Sequence, residues 1–88
     1  MKEKEVEIVL KALANRRRLS IIRILKKKHE ASVGEIAENI KLSLKATSKH
    51  LNLLFSAGLL EKEQRSLQMF YSISSNCHKM ARVILNLL

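Results

Sequence analysis

The sequence predicts a mainly α-helical domain that carries one small β-hairpin. Apolar residues recur with helical spacing over the first two thirds of the chain. The pattern changes to two short strands after Gly58 and returns to helical spacing near the C-terminus. The predicted order is therefore helix–helix–helix–helix–hairpin–helix, in a single domain that takes in residues 1–88.

Composition indicates a folded, strongly basic domain. Of 88 residues, 47% are hydrophobic and 28% are charged, which is typical of a folding chain. Lys and Arg number 17 against 8 Asp and Glu, giving a net charge of +9. That balance favours a polyanionic partner, with nucleic acid first and an anionic membrane surface second. The single cysteine, Cys77, excludes a disulfide scaffold.

Hydropathy and size lead to two further expectations. No apolar run approaches a membrane span and no signal-peptide pattern opens the chain, so we expect a cytoplasmic protein that does not enter a membrane. A domain this short, with three aromatic residues, buries only a small core. Oligomerisation commonly stabilises such domains, so we expect a homodimer.

The first two helices are predicted from periodicity and capping. The first covers about residues 2–14, and its apolar stripe is formed by Val6, Val9, Leu10 and Leu13. Asn15 is an N-cap residue type and opens the second helix, which ends in the lysine run 26–28.

Three further cap signals predict the next two helices. Ser32 with Glu35 three residues later fits a capping box, and Ser43 caps the fourth helix. Gly58 follows that helix as a C′ residue. The hairpin pairs residues 59–63 with 68–73 around a turn near 65–67. The closing helix covers about residues 76–88, with an apolar face of Met80, Val83, Ile84 and Leu87.

The third and fourth helices have the spacing of a helix-turn-helix motif over residues 33–57. They are short, they are joined by a turn of about three residues, and Thr47 is predicted to pack back against the first of them. This leaves an outer face on the fourth helix that contains no carboxylate and consists of Leu44, Lys45, Ser48, Lys49, His50 and Asn52. Lysine and serine donate to guanine acceptors or phosphates, and leucine can contact a thymine methyl group. A solvated helix face is the alternative interpretation.

Four stretches together resemble the winged helix-turn-helix regulators of the ArsR type. They are KALANRRRLSII from Lys11, VGEIAENIKLS from Val33, ATSKHLNLLFSAGLL from Ala46 and YSI from Tyr71. The third is similar to the family pattern V-S-x-H-L-x-x-L-x-x-A-G-L-V and is the most specific. Each is short, and their shared order and spacing make the resemblance specific.

The resemblance implies a homodimeric repressor that binds an inverted-repeat operator in double-stranded DNA. The terminal helices, about residues 2–14 and 76–88, would form the dimer interface, and residues 59–73 would form the wing. The DNA-binding residues carried over are Ser43, Leu44, Lys45, Ser48, Lys49, His50, Arg16, Arg17, Arg18, Gln64 and Arg65. An unidentified effector is a further expectation.

The chain departs from the family pattern at four places. Arg16 and Arg17 stand where the family has Pro and Thr, which suggests that phosphate binding moves toward the second helix. Lys41 stands where the family has Gly in the turn, and a non-Gly residue at positive φ costs on the order of 1 kcal/mol. Phe55 replaces a charged residue, which suggests packing against the wing or a partner. The wing turn contains one cation, Arg65, so minor-groove reading by the wing is in question.

We expect no catalytic site, no cofactor and no metal site. Cys77 and His78 are adjacent residues on the predicted last helix, and neighbours on a helix do not face the same way. Cys77 is either a redox-sensitive thiol or an inert small residue. Two other functions remain open: a protein–protein module that docks through the open helix face or Phe55, and a non-specific nucleic-acid-binding architectural protein.

Overall fold

The computed structural model describes residues 2–88 and contains five helices and three strands. In chain order they are α1 (Glu3–Leu13), α2 (Arg16–Lys28), β1 (Glu30–Ser32), α3 (Val33–Ile40), α4 (Leu44–Ser56), β2 (Leu60–Arg65), β3 (Gln68–Ile73) and α5 (Lys79–Leu87). The predicted order of helices and hairpin is confirmed, and one strand, β1, is added to it.

Strand β1 makes the hairpin part of a three-stranded antiparallel sheet with the order β1-β3-β2. Ala31 pairs with Tyr71, and both are buried. The predicted hairpin is present as β2 and β3, and the third strand was not predicted from the sequence, because three residues are too few to show any periodicity. The sheet therefore connects the α2–α3 junction directly to the wing.

The three predicted N-caps are confirmed. Asn15 Oδ1 accepts hydrogen bonds from the amides of Arg17 and Arg18 at 3.0 and 3.1 Å. Ser32 and Glu35 form the reciprocal capping box, and Ser43 Oγ accepts from the amide of Ala46 at 3.1 Å. Each side chain satisfies amides that have no partner within the helix, which defines where the helix begins.

The core lies where α2, α4 and the sheet meet. Its fully buried large side chains are Ile21, Ile22, Leu25, Ile36, Leu51, Leu54 and Leu59. On α1 the buried face is Val9, Ala12 and Leu13, whereas Leu10, predicted to lie in the stripe, is exposed. On α5 the buried residues are Ala81 and Leu85.

The outer side of α5 is apolar and exposed in the single chain. Val83 is 62% exposed and Leu87 is 80% exposed, and both belong to the predicted apolar face of a helix expected in the dimer interface. Helix α5 also begins later than expected, because residues 74–78 form an irregular segment. Cys77 lies in that segment, half-buried and packed against the core, rather than on the helix.

The turns on either side of α4 have the expected left-handed residues. Lys41 has φ 57° and ends α3, and the amide of Leu42 donates to the carbonyl of Ala37 at 3.1 Å. After α4, Gly58 has φ 79°. The amides of Gly58 and Leu59 donate to the carbonyls of Phe55 and Leu54, which is a Schellman motif.

The hairpin differs from its prediction in its turn. Strand β2 extends to Arg65, so the turn consists of Ser66 and Leu67, and Leu67 is 96% exposed. Among residues 2–88, no helix combines the length and the apolar character that crossing a bilayer requires.

Candidate nucleic-acid interface

The N-terminal half of α4 presents the cationic face predicted from the sequence. Leu44, Lys45 and Lys49 are exposed, and Ser48 is half-buried. The opposite side of the helix, Thr47, Leu51 and Leu54, is buried, which fixes the rotation of α4 about its axis. Neither lysine forms an ion pair within residues 2–88, so both charges are available to an anion.

Thr47 lies on the buried side of α4, and its hydroxyl group lowers the stability of the domain. Its side chain is fully buried, and its hydroxyl Oγ1 has no hydrogen-bond partner among the described residues. An unsatisfied buried hydroxyl is unfavourable by about 1–3 kcal/mol.

Three consecutive arginines open α2, and the structure separates their roles. Arg16 and Arg17 are exposed, and Arg17 Nη1 donates a long hydrogen bond of 3.4 Å to the carbonyl of Ile40. That contact brings the Arg17 guanidinium to the C-terminal end of α3, next to the turn that leads into α4. Arg17 therefore lies beside the helix-turn-helix motif.

Arg18 turns inward instead. Its Nε donates to the carbonyl of Ala12 at 2.6 Å, and its Nη2 donates to the carbonyl of Lys11 at 3.2 Å. These carbonyls belong to the last turn of α1, where no further amide of the helix can reach them. The third guanidinium nitrogen used, Nη1, lies 3.2 Å from His50 Nδ1 on α4. Arg18 thus joins α1, α2 and α4.

The contact with Arg18 determines the state of His50. A guanidinium can only donate, so His50 Nδ1 must accept, and the neutral ring carries its proton on Nε2. Burial lowers the pKa of His50, and the positive charges of Arg18 and Arg17 lower this pKa further. The sequence grouped Arg18 and His50 with freely exposed DNA ligands; both are half-buried and bonded to each other.

The wing arginine is also engaged within the protein. Arg65 donates to both carboxylate oxygens of Glu30 at 2.6 and 2.8 Å and to Glu63 at 3.2 Å. Its guanidinium lies over the Phe70 ring, 4.7 Å from the centroid. These hydrogen bonds lower the pKa of Glu30 and of Glu63 and raise the pKa of Arg65.

The sequence treated Arg65 as a free cation at the wing tip, but it lies at the end of β2 between two carboxylates. The carboxylate of Glu30 reaches Arg65 from β1, the strand that was not predicted from the sequence. Gln64 is exposed, and its amide lies 3.5 Å from the carbonyl of Ser66.

Phe55 packs against the wing, as its replacement of a charged residue suggested. Its ring is covered by Lys62 of β2, with Nζ 4.3 Å from the centroid, and the side chain is 38% exposed. Within residues 2–88, no three His, Cys, Asp or Glu side chains gather in an arrangement that could hold a metal ion.

Comparison with known proteins identifies the family. The model of the bacterial regulatory protein arsR family matches residues 15–62. The chain is 41% identical over 68 residues to the transcriptional activator HlyU of Vibrio cholerae, a match that covers 77% of this chain and 62% of HlyU. The chain therefore spans less than two thirds of the length of that relative.

Solved structures agree with this assignment. Reduced HlyU from Vibrio cholerae superposes with a TM-score of 0.82 at 35% identity, covering 97% of this chain and 85% of that one. A homodimeric winged helix-turn-helix DNA-binding domain from Mycobacterium bovis gives 0.81 at 32% identity, covering 96% and 74%. The transcriptional repressor PagR of Bacillus anthracis gives 0.77 at 26% identity, covering 96% and 92%. The fold is a winged helix-turn-helix, and the chain belongs to the arsR family of bacterial regulatory proteins.

Proposed function

We propose that this protein is a sequence-specific DNA-binding transcriptional regulator that acts as a homodimer on an inverted-repeat operator. The observation that carries the proposal is the exposed outer face of α4, on which Lys45 and Lys49 have no acidic partner within residues 2–88. A cationic helix that projects from its domain fits the major groove, where lysine donates to guanine or to phosphate. No reaction is proposed, because the relatives are regulators.

The proposed contacts fall into two groups. Base edges would be read by Leu44, Lys45, Ser48 and Lys49. Phosphates would be bound by Ser43, Arg16 and Arg17, with Gln64 as the contact from the wing. We assign Arg18 and His50 to positioning α4, because both are half-buried and bonded to each other. We give Arg65 no phosphate contact, because the carboxylates of Glu30 and Glu63 hold its guanidinium.

Exposed apolar side chains on the terminal helices support the dimer. Val83 and Leu87 lie one turn apart on α5, and Ile8 and Leu10 are exposed on α1. Val83 and Leu87 share one face of α5, and exposed apolar surface of this kind is typical of an interaction site. The M. bovis neighbour is described as homodimeric. We expect Val83→Glu to reduce the mass in light scattering from twice 10.1 kDa to 10.1 kDa.

Leu67→Glu is the matched control for that experiment. Leu67 is 96% exposed at the hairpin turn, away from both terminal helices, so this variant should keep the dimeric mass. A wild-type protein that is monomeric at micromolar concentration would contradict the dimer.

Repression is the proposed outcome of binding, because a dimer that covers an operator blocks access to the promoter. The relatives include both an activator and a repressor, so the position of the operator would decide whether binding activates or represses transcription. Docking of a protein partner through Phe55 is less well supported, since Lys62 lies over one face of that ring and 38% of the side chain is exposed.

Lys49→Ala and Arg17→Ala test the two groups of contacts. Fluorescence anisotropy would compare DNA from upstream of the gene with a scrambled duplex over a range of salt concentrations. Lys49→Ala should weaken specific binding by about 1–3 kcal/mol and relax sequence preference. Arg17→Ala should weaken both duplexes alike and reduce the salt slope by about 1. Equal affinity of the wild type for both duplexes would instead favour a non-specific architectural protein.

A further inference from the structure

A cleft between α2 and α3 adds a third arginine, Arg23, to Arg16 and Arg17, and Arg23 has no place among the proposed DNA contacts. The cleft has a volume of about 400 Å³, and two isoleucines form part of its wall. Its polar lining consists of Arg16, Arg17, Ser20, Arg23 and Asn39. Arg16, Ser20 and Arg23 follow one another at i, i+4 and i+7, so they share one face of α2.

The three arginines of this cleft are not neutralised by the protein. None of them forms an ion pair within residues 2–88. Glu35, in the first turn of α3, is paired with Lys28 at 3.5 Å and does not line the cleft. The guanidinium groups of Arg16 and Arg23 also make no hydrogen bond to the described residues.

Arg18 differs from Arg16 and Arg23 of the cleft, because its guanidinium has partners within the protein. The three guanidinium nitrogens of Arg18 that form bonds hold α1, α2 and α4 together, so that arginine has a structural role. Arg23 has no such role, and its charge lies close to two others of the same sign. A bound anion relieves this repulsion, and the planar fork of arginine matches a phosphate oxygen pair.

We propose that the α2–α3 cleft is a phosphate-binding site in which Arg23 acts with Arg16 and Arg17. Asn39 supports it from α3, because one amide hydrogen donates to the carbonyl of Glu35 at 2.8 Å and the second is left to donate to a phosphate. The phosphate belongs either to the backbone of a bound duplex beyond the α4 contacts or to a small phosphorylated ligand. The duplex source rests on the proposed DNA-binding function, whereas the small-ligand source does not.

Arg23→Gln and Lys4→Gln test the proposal as a matched pair. Each removes one positive charge from an exposed helical position, but only Arg23 lines the cleft. In one arm, the affinity for operator DNA is measured against salt concentration. In the other, pyrophosphate is titrated at constant ionic strength while the amide and guanidinium signals of the protein are followed by NMR.

A duplex phosphate in the cleft predicts that Arg23→Gln reduces the slope of log affinity against log salt by about 0.9, while Lys4→Gln leaves it unchanged. A small phosphorylated ligand predicts saturable pyrophosphate shifts at Arg23 and Asn39 that Arg23→Gln abolishes, with the DNA slope unchanged. The proposal is overturned if neither effect appears or if Lys4→Gln produces the same loss. A wild type that binds no duplex would refute the proposed function. The pyrophosphate titration alone would then show whether the cleft binds phosphate.

Discussion

Arg18 holds three helices together, and replacing it should destabilise the whole domain. Arg18→Met keeps an unbranched side chain and removes the hydrogen bonds to Ala12, Lys11 and His50. The two carbonyls at the end of α1 would then lose their partners, and His50 Nδ1 would lose its donor. Hydrogen bonds from a charged donor contribute about 1.5–3 kcal/mol each when buried.

The half-buried position of Arg18 reduces that figure, since water can replace part of each bond. We therefore expect a loss of about 2–3 kcal/mol in the free energy of unfolding, from the three bonds together. For a domain of this size, 1 kcal/mol corresponds to about 4–8 °C in the melting temperature. The variant should melt about 10–20 °C below the wild type.

Urea denaturation followed by circular dichroism measures this loss. Arg82→Met is the control, because its guanidinium makes one hydrogen bond, 2.8 Å to the carbonyl of Ser75, on an exposed surface. We expect the control to lose less than about 0.5 kcal/mol. If Arg18→Met loses no more than the control, the role given to Arg18 is wrong.

The same contact makes stability depend on pH. Because the pKa of His50 is lowered in the folded protein, the unfolded chain binds more protons near this pKa. Stability should therefore fall as the pH drops through about 6.5 toward the lower folded-state pKa. Arg18→Met removes one of the charges that lower this pKa, so NMR titration should find the His50 pKa closer to its ordinary value. An unchanged His50 pKa would contradict this coupling.

Four further substitutions test individual features. Thr47→Val removes a buried hydroxyl without a partner and should raise stability by about 1 kcal/mol in urea denaturation. Lys41→Gly should raise it by up to about 1 kcal/mol, because glycine adopts φ 57° without strain. Ser32→Ala breaks the capping box and should lower it by about 1 kcal/mol. Glu30→Gln frees Arg65 for a phosphate and should steepen the salt slope of DNA binding by about 0.9; a slope that stays the same would mean that Glu63 alone holds the arginine.

The starts of α2, α3 and α4 could be predicted because their signals are local. Asn15, Ser32 and Ser43 act on amides two or three residues away, so sequence neighbours alone determine the caps. The left-handed conformations of Lys41 and Gly58 likewise follow from their positions at helix ends. The outer face of α4 followed from helical spacing once the apolar residues of that helix were assigned to the core.

The partners of the charged side chains could not be predicted in this way. Arg65 and Glu30 are 35 residues apart, and Arg18 and His50 are 32 apart. Their pairing depends on how α2, α4 and the sheet pack, which periodicity does not encode. In the sequence, a charged or titratable residue on an amphipathic segment looks the same whether its side chain faces solvent or bonds to another element of the fold. The exposed apolar side of α5 agrees with its expected place in a dimer interface, but helical periodicity alone does not distinguish a face that packs on its own domain from one that packs on a second chain.

The short strand β1 gives the wing little freedom of its own. It continues directly into α3, and its three residues pair with β3, while Glu30 reaches across the width of the sheet to Arg65 on β2. The hairpin and the helix-turn-helix are therefore linked through one sheet and one ion pair. If the protein binds DNA as proposed, this linkage would leave the nucleic acid to supply much of the bending or twisting that the fit requires. Base steps that no side chain touches would then affect affinity through the stiffness of the duplex.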